Sequence, residues 1–168
     1  TPDDRAHLLS LIASAKNADK TVFFDSNIRP KLWDSMDEMR EAITEAGRIV
    51  DVILPSLDDE KMAFGDNDDI DVATRYLALG AEAVIVKNGS APTLFSTASG
   101  HQHYAPCPID SMIDSTAAGD AFNGAIMARL AAGDSIDDAI KAAHKCAAIV
   151  ITHIGALAPK HLFSNEFG

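Results

Sequence analysis

The sequence has few of the residues and segments that mark secreted or membrane proteins. It contains two cysteines, Cys107 and Cys146, which stand in unrelated contexts. This pattern argues against a disulfide framework or a cysteine metal knuckle and favours a reducing compartment. No apolar run approaches the roughly 18 residues of a membrane span. The opening TPDDRAHLL lacks the regions of a signal peptide and is typical of a chain entered partway through. We therefore expect a cytoplasmic protein that does not enter a membrane.

Basic residues are also scarce. The chain has 14 Lys and Arg against 25 Asp and Glu, a formal net charge of −11 at pH 7. A field of this sign repels phosphate backbones, so we expect neither nucleic acid nor an anionic membrane as a partner. An anionic ligand would need a local binding device. The remaining composition, 47% hydrophobic and 23% charged, is that of an ordinary globular domain.

Short apolar runs alternate with longer segments of helical spacing. The apolar runs cover residues 21–25, 51–55 and 81–87. Helices are predicted from a capped start at Thr1–Asp4, over 37–50 and over 69–79. This alternation predicts an α/β fold whose parallel sheet is covered on both faces.

The second half of the chain has a different pattern of apolar segments. Residues 92–106 predict a hairpin at the far edge of the sheet, with its turn at Ser99–Gly100. Phe122–Ala132 is apolar nearly all round, which predicts a buried helix. Ser135 caps a further helix over 136–152. We find no repeat and no linker, and we expect a single α/β unit.

The most informative segment for chemistry runs from residue 114 to 120, DSTAAGD. The small residues Ala117, Ala118 and Gly119 lead into a helix whose first turn holds Asp120. Backbone N–H groups at such a helix start can approach an anion closely, and the helix dipole adds positive potential. From the residues alone, Asp120 is either a helix cap or a base beside an anion site.

This segment resembles the DTxGAGD signature of the ribokinase-like (PfkB) carbohydrate kinases, and the resemblance extends over the whole chain. It implies that Asp120 is the catalytic base, which also contacts the substrate. It further implies that the backbone of Ala117, Ala118 and Gly119 forms the anion hole for the transferred phosphate. Ala117 stands where many members have Gly, and the resulting AAGD is frequent in the sugar-acid kinases of the family. The implied fold is a three-layer α/β/α arrangement with a mostly parallel sheet.

A second segment, FFDSNIRPKLWDS (23–35), resembles the FDxNxRPxLW string of 2-keto-3-deoxygluconate kinases. The resemblance places Asn27 near the ATP phosphates and gives Arg29 a role in substrate and phosphate recognition. Ile28 departs from the Tyr that is frequent there. A planar guanidinium forks onto a carboxylate or phosphate as Lys cannot. Without the family resemblance, the residues are equally compatible with an Arg29 that pairs with a surface acid and a Trp33 that belongs to the core.

Three weaker segments fit the same family. VIVKNGSAPTLFS (84–96) resembles its nucleotide loop, which implies ATP contacts for Asn88, Gly89, Ser90 and Thr93, although Pro92 replaces a usual Gly. The residues leave open whether Lys87 is a solvated strand end. LPSLDDE (54–60) occupies the place of the NxxE motif, with Ser56 and Asp59 in place of Asn and Glu, which implies a water-mediated Mg²⁺ contact for Asp59. ITHIGALAP (151–159) resembles the stretch that closes over the adenine.

The resemblance implies ATP- and Mg²⁺-dependent phosphorylation of a sugar acid, 2-keto-3-deoxygluconate, to its 6-phosphate. Residues 1–168 would be the C-terminal, nucleotide-binding portion of such a kinase, without the N-terminal part and its β lid. The full-length protein would be a homo-oligomer. Two alternatives stay open, another kinase of the family of the fructokinase or ribokinase type, and a nucleotide-binding fragment without turnover.

Overall fold

The computed structural model describes residues 2–163, which form six α-helices and five β-strands. The helices are α1 (Pro2–Asn17), α2 (Met36–Gly47), α3 (Leu57–Phe64), α4 (Asp69–Leu79), α5 (Ala118–Ala131) and α6 (Ile136–Ile151). The strands are β1 (Phe23–Phe24), β2 (Val52–Ile53), β3 (Ala83–Val86), β4 (Thr93–Thr97) and β5 (Gly100–Tyr104). Short 3₁₀ helices occupy Pro30–Leu32 and Lys160–Leu162. The chain divides into two compact units, one ending at His103 and the other beginning at Tyr104.

The strands form one mixed sheet in the order β1-β2-β3-β4-β5. The first three run parallel, with Phe23 opposite Val52 and Val52 opposite Ala83, and β4 runs antiparallel to β3. The predicted α/β fold with a mostly parallel sheet is therefore confirmed, as is the hairpin at the sheet's edge. The hairpin turn lies at Ala98–Ser99, one residue earlier than predicted, because Gly100, with φ at 139°, already belongs to β5.

The first two strands are shorter than the apolar runs that predict them. The ladder begins at Val22, whose carbonyl accepts from the Asp51 and Val52 N–H groups at 3.1 Å. It ends after Phe24, because the chain turns at Asn27, a non-glycine residue with φ at 36°. Because β1 ends this early, the side chains that follow Phe24 lie at the carboxyl edge of the sheet and not in its interior.

The core of the first unit lies between the sheet and helices α1 to α4. It includes Ile12, Met39, Ile53, Tyr76 and Val84. The sequence pattern predicts no helix at α3, because its acid-rich start indicates only a metal-binding motif. Its apolar residues Leu57 and Ala63 nevertheless face the core, and Gly65 ends it in the left-handed conformation at φ 78°.

The second unit is built on α5 and α6, which a short turn joins. Ser135 caps α6 as predicted, its hydroxyl accepting from the Asp138 N–H at 3.2 Å. The prediction that α5 is buried all round is wrong. Within the described residues one face is buried, including Phe122 and Ile126, whereas Met127 is 42% exposed. Among residues 2–163 no helix is both long and apolar enough to cross a membrane.

Burial makes one histidine of this unit a source of acid sensitivity. The side chain of His144 meets the Phe122 ring edge-on, with ring centroids 5.2 Å apart, and its Nε2 has no hydrogen-bond partner among the described residues. Burial lowers the pKa of His144 below its ordinary value of 6.5, because a charged imidazolium loses hydration there. The unfolded chain therefore takes up this proton at a higher pH than the folded chain. Stability is lost as the pH falls below about 6.5.

We expect the His144→Gln variant to lose less thermal stability than the wild type on acidification from about pH 7.5 to about pH 5.5, because glutamine does not titrate. The measurement is Tm by circular dichroism at both pH values. His7→Gln, at an exposed position of α1, is the matched control and should keep the wild-type difference. Equal differences for the wild type and His144→Gln would contradict the prediction.

Candidate functional site

In the first unit, polar side chains collect where the three parallel strands end. Asp25, Asn27 and Arg29 follow β1, Asp59 lies in the first turn of α3 after β2, and Lys87 follows β3. A parallel bridge between Ser56 and Lys87 extends the pairing of β2 and β3 to this edge. We call these five residues the sheet-edge cluster. Ligands of open α/β sheets bind at this edge.

An ion pair joins the loop after β1 to the end of β3. The Lys87 Nζ lies 2.7 Å from Asp25 Oδ2, and the Lys87 side chain is 11% exposed. Lys87 is therefore not a solvated strand end, which resolves the alternative that the sequence left open. The other carboxylate oxygen of Asp25 accepts from the Asn27 N–H at 3.0 Å. Asp25 thus holds the turn that presents the exposed Asn27 side chain.

Arg29 is only loosely engaged by protein groups. Its Nη1 lies 3.8 Å from Asp59 Oδ2 and donates to the Ile28 carbonyl at 2.8 Å, and its side chain is 57% exposed. The guanidinium therefore keeps donors that can bind a further anion. The interpretation without the family resemblance, in which Arg29 pairs with an acid, holds for its contact with Asp59. Trp33 is half-buried, and the Arg5 guanidinium lies 5.4 Å from the centre of its ring.

Asp59 occupies an environment that disfavours its negative charge. Burial raises its pKa, and the nearby Asp25 adds to the rise, while Arg29 and Lys87 oppose it. A carboxylate in this position gains from a nearby cation, which fits the predicted water-mediated contact with Mg²⁺. Within residues 2–163 no three His, Cys, Asp or Glu side chains come together to hold a metal directly. A protein-only metal cage is therefore not formed there.

The loop after β3 places its predicted contacts unequally. Asn88 is half-buried, and its carbonyl accepts from the Ala91 N–H at 2.8 Å, closing a turn in which Gly89 has φ at 53°. Gly89 and Ser90 are exposed. Thr93, in contrast, lies in β4 with 2% exposure. The contact of Thr93 with ATP stays a prediction.

The second unit carries a separate cluster at the start of α5, formed by Ala117, Ala118, Gly119 and Asp120, which we call the helix-start cluster. Ala117 adopts the left-handed conformation, with φ at 61°, and caps the helix without a side-chain hydrogen bond. The Ala118 N–H donates to the Ser115 carbonyl at 3.2 Å. The N–H groups of Gly119 and Asp120 find no acceptor among residues 2–163. Two free N–H donors thus lie at the positive end of a 14-residue helix, and the anion hole at Ala117, Ala118 and Gly119 stays a prediction.

Asp120 projects from this helix start as an exposed carboxylate without a side-chain partner in the described part of the chain. The preceding turn is held by Asp114, whose two oxygens accept from the N–H groups of Thr116 at 2.9 Å and Gly155 at 2.8 Å. These hydrogen bonds lower the pKa of Asp114. The loop that leads to Asp120 is therefore tied to residues 151–155, which rigidifies the donors before a ligand arrives.

A cleft of about 460 Å³ opens in the same unit. Residues 107–111 line one side, and Lys145, Ala148, Ile149 and Thr152 line the other. Its volume lies in the range of small-molecule sites. Ala143, which also lies on α6, is fully buried.

Two features of the first unit escaped the sequence analysis. The pairing of Lys87 with Asp25 spans 62 residues of sequence, and no local pattern shows such a contact. Glu60 was overlooked because it follows directly on Asp59 in an acidic run, where a solvated side chain is the ordinary interpretation. The structure buries it completely.

Comparison with known proteins agrees with the geometry of both units. The family profile described as pfkB family carbohydrate kinase matches residues 1–161. The chain is 34% identical over 163 residues to the 2-dehydro-3-deoxygluconokinase of Escherichia coli K12, covering 95% of this chain and 53% of that protein. It is 32% identical over 165 residues to the enzyme of the same name from Haemophilus influenzae, covering 97% and 52%. The chain therefore spans about half the length of these curated relatives.

Solved structures give the same result. Aminoimidazole riboside kinase from Salmonella enterica, in complex with aminoimidazole riboside and an ATP analog, superimposes with a TM-score of 0.83 at 28% identity, covering 92% of this chain and 55% of that one. Fructokinase from Vibrio cholerae, in its fructose, ADP and calcium ion bound form, gives 0.84 at 25% identity, covering 95% and 55%. The ribokinase-like fold is thereby confirmed, and the chain belongs to the pfkB family of carbohydrate kinases.

Proposed function

We propose that this chain is the nucleotide-binding portion of a kinase that transfers the terminal phosphoryl group of ATP to 2-keto-3-deoxygluconate. The family membership supports a sugar kinase, and the relatives from E. coli and H. influenzae support the sugar acid as substrate. The observation that carries the proposal is the helix-start cluster, where free N–H donors and an exposed carboxylate share the first turn of α5. Location in the cytoplasm and assembly of the full-length protein into a homo-oligomer stay predictions.

Asp120 is assigned as the general base. A carboxylate that accepts no hydrogen bond from the described residues is available to take the proton from the attacking hydroxyl, which raises the nucleophilicity of that oxygen. The N–H groups of Gly119 and Asp120, together with the dipole of α5, stabilise negative charge on the transferred group. Positioning and charge stabilisation of this kind contribute most of the rate in phosphoryl transfer.

The sheet-edge cluster is assigned to recognition of substrate and phosphate. Arg29 has spare donors in the planar geometry that fits a carboxylate, and a sugar acid offers one. Asn27, the half-buried Asn88 and the exposed Gly89 and Ser90 are assigned to the ATP phosphates. Mg²⁺, when bound, neutralises phosphate charge, and Asp59 would hold it through water. The cleft lined by residues 107–111 and α6 is assigned to the adenine.

The chain itself allows a direct test of the nucleotide part of the proposal. We expect it to bind ATP with Mg²⁺ more tightly than adenosine, by about 10- to 150-fold, because charge-assisted hydrogen bonds to phosphate add on the order of 1.5–3 kcal/mol. Isothermal titration calorimetry with ATP, ADP and adenosine measures the difference. Absence of ATP binding, or equal affinity for adenosine, would overturn the proposed nucleotide site.

We expect the chain alone to turn over slowly, because it spans only half the length of its relatives and transfer needs an oriented hydroxyl from which water is excluded. Turnover is therefore measured on the chain and on a hybrid enzyme, in which this chain replaces the matching half of the E. coli relative. ATP binding without turnover in either form would favour the nucleotide-binding alternative. Turnover of fructose or ribose in preference to the sugar acid would favour the other family kinases.

A further inference from the structure

A buried carboxylate lies directly behind the sheet-edge cluster. Glu60, on α3, is 0% exposed, and three side chains donate to it. Arg75 Nη2 lies at 2.7 Å and the Tyr76 hydroxyl at 3.0 Å, both from α4. The third donor is the hydroxyl of Ser26, 2.6 Å from Glu60 Oε1. Ser26 belongs to the loop that carries Asp25, Asn27 and Arg29.

The α4 side of this network is rigid. Arg75 also pairs with Asp66 at 2.7 Å, and its guanidinium stacks over the rings of Phe64 at 4.0 Å and Tyr76 at 4.3 Å. Glu60, on α3, is therefore fixed by two side chains of α4. Its remaining hydrogen bond reaches forward to Ser26 and fixes a residue of the loop to this rigid support.

Fold stability alone is a weak reason for such a network. Removing a carboxylate and a guanidinium from water carries a large desolvation penalty, and apolar residues of similar volume often serve a core equally well. The loop, in contrast, needs support. Asn27 adopts a left-handed backbone conformation, with φ at 36°, which non-glycine residues adopt only uncommonly. Besides Ser26, its anchors include the Asp25–Lys87 ion pair and the buried side chain of Ile28.

We infer that Glu60 is a positioning residue, which acts through Ser26 to hold residues 25–29 in the conformation that presents Asn27 and Arg29. The ligand side of this inference rests on the proposed function. The loop itself does not, because its conformation can be followed without a ligand. Glu60 touches no substrate in this scheme, and its effect reaches the site only through the Ser26 hydroxyl.

The test compares Ser26→Ala with two other hydroxyl deletions. Tyr76→Phe removes a different donor to Glu60 and leaves the link to Ser26 in place. Ser14→Ala, on exposed α1, removes a hydroxyl that donates to the Ser10 carbonyl at 2.9 Å, and it is the matched control. For each variant we measure Tm, amide hydrogen exchange over residues 25–29, and the dissociation constant for ATP with Mg²⁺. The fluorescence of Trp33, the single tryptophan of the chain, reports on the segment that follows the loop.

We expect Ser26→Ala to speed exchange over 25–29 by about 3- to 10-fold, the factor given by one lost hydrogen bond. The dissociation constant for ATP with Mg²⁺ should rise at least about threefold, because affinity scales with the fraction of loop in the binding conformation. Tyr76→Phe should lower Tm more than Ser26→Ala and change loop exchange and affinity less than about twofold. Ser14→Ala should match the wild type in loop exchange and affinity.

Unchanged exchange over residues 25–29 in Ser26→Ala would overturn the inference. Faster exchange with unchanged ATP affinity would also overturn it, since the loop would then move without consequence for the site. If the wild-type chain fails to bind ATP, the proposed nucleotide site is lost, whereas the exchange data still decide whether Glu60 holds the loop. Ser26→Thr keeps the hydroxyl and should leave both measurements near wild type.

Discussion

Asp120→Asn in the hybrid enzyme is expected to lower kcat by about 10²–10⁴, the range typical of a lost general base. The amide keeps the size of the side chain but cannot accept the proton of the attacking hydroxyl. Affinity for ATP should stay within a few-fold of wild type, because the free N–H groups at the start of α5 remain. Steady-state kinetics and calorimetry on the same preparation separate the two effects.

The competing explanation is that Asp120 only complements the dipole of α5, which is worth about 0.3–1 kcal/mol of stability. Asp37→Asn is the control for a lost carboxylate at a helix start, since Asp37 is exposed in the first turn of α2, where it also pairs with Arg40 at 2.8 Å. Both variants should lose a similar, small amount of stability, and only Asp120→Asn should lose turnover. Near wild-type kcat for Asp120→Asn would make Asp120 a helix cap and remove it from the mechanism.

Arg29→Lys is expected to raise KM for the sugar acid more than KM for ATP. Lysine keeps the positive charge but replaces a two-pronged contact with a single one, a loss on the order of 1.5–3 kcal/mol, or about 10- to 150-fold. The structure leaves room for this role, because the only protein carboxylate near the guanidinium among the described ion pairs is Asp59 at 3.8 Å. Initial rates with both substrates varied give the two KM values.

Arg48→Lys, at the exposed C-terminal end of α2, is the control for the loss of a guanidinium as such and should leave both KM values unchanged. A rise confined to KM for ATP would assign Arg29 to the ATP phosphates. An unchanged KM for the sugar acid would remove the support that Arg29 gives to a sugar acid as substrate. The assignment of a carbohydrate kinase would stand, since it depends on residues 114–120 and on the family match.

Local patterns were sufficient to predict most of the fold. The runs at 51–55 and 81–87 form neighbouring parallel strands, as expected of short, largely apolar segments that alternate with helices. Helix caps such as Ser135 act within four residues, so their signal survives in the sequence. The prediction that α5 is buried was wrong. An apolar composition shows that a helix tolerates burial on every side, but it does not show that another element packs against every face.

The site features that depend on a contiguous stretch of sequence could be predicted. Those that depend on tertiary contacts could not. The small residues before Asp120 indicate a helix start that an anion can approach, and the structure has free N–H groups there. Thr93 is buried because it lies on β4. The face of the sheet that a strand residue occupies depends on the register of strand pairing, and the sequence alone does not fix that register. Glu60 looks like one acid among several until α4 brings Arg75 and Tyr76 against it.

The measurement that tests the central claim most directly is product formation by the hybrid enzyme with ATP, Mg²⁺ and a panel of 2-keto-3-deoxygluconate, gluconate, fructose and ribose. Mass spectrometry identifies the phosphorylated product, and the position of the phosphate is read by phosphorus–proton NMR. We predict phosphorylation of 2-keto-3-deoxygluconate at its 6-hydroxyl, with the highest kcat/KM of the panel, and loss of that product in Asp120→Asn. No phosphorylated product from any member of the panel, or equal product from Asp120→Asn, would contradict the claim that this chain supplies the catalytic base and anion site of a sugar-acid kinase.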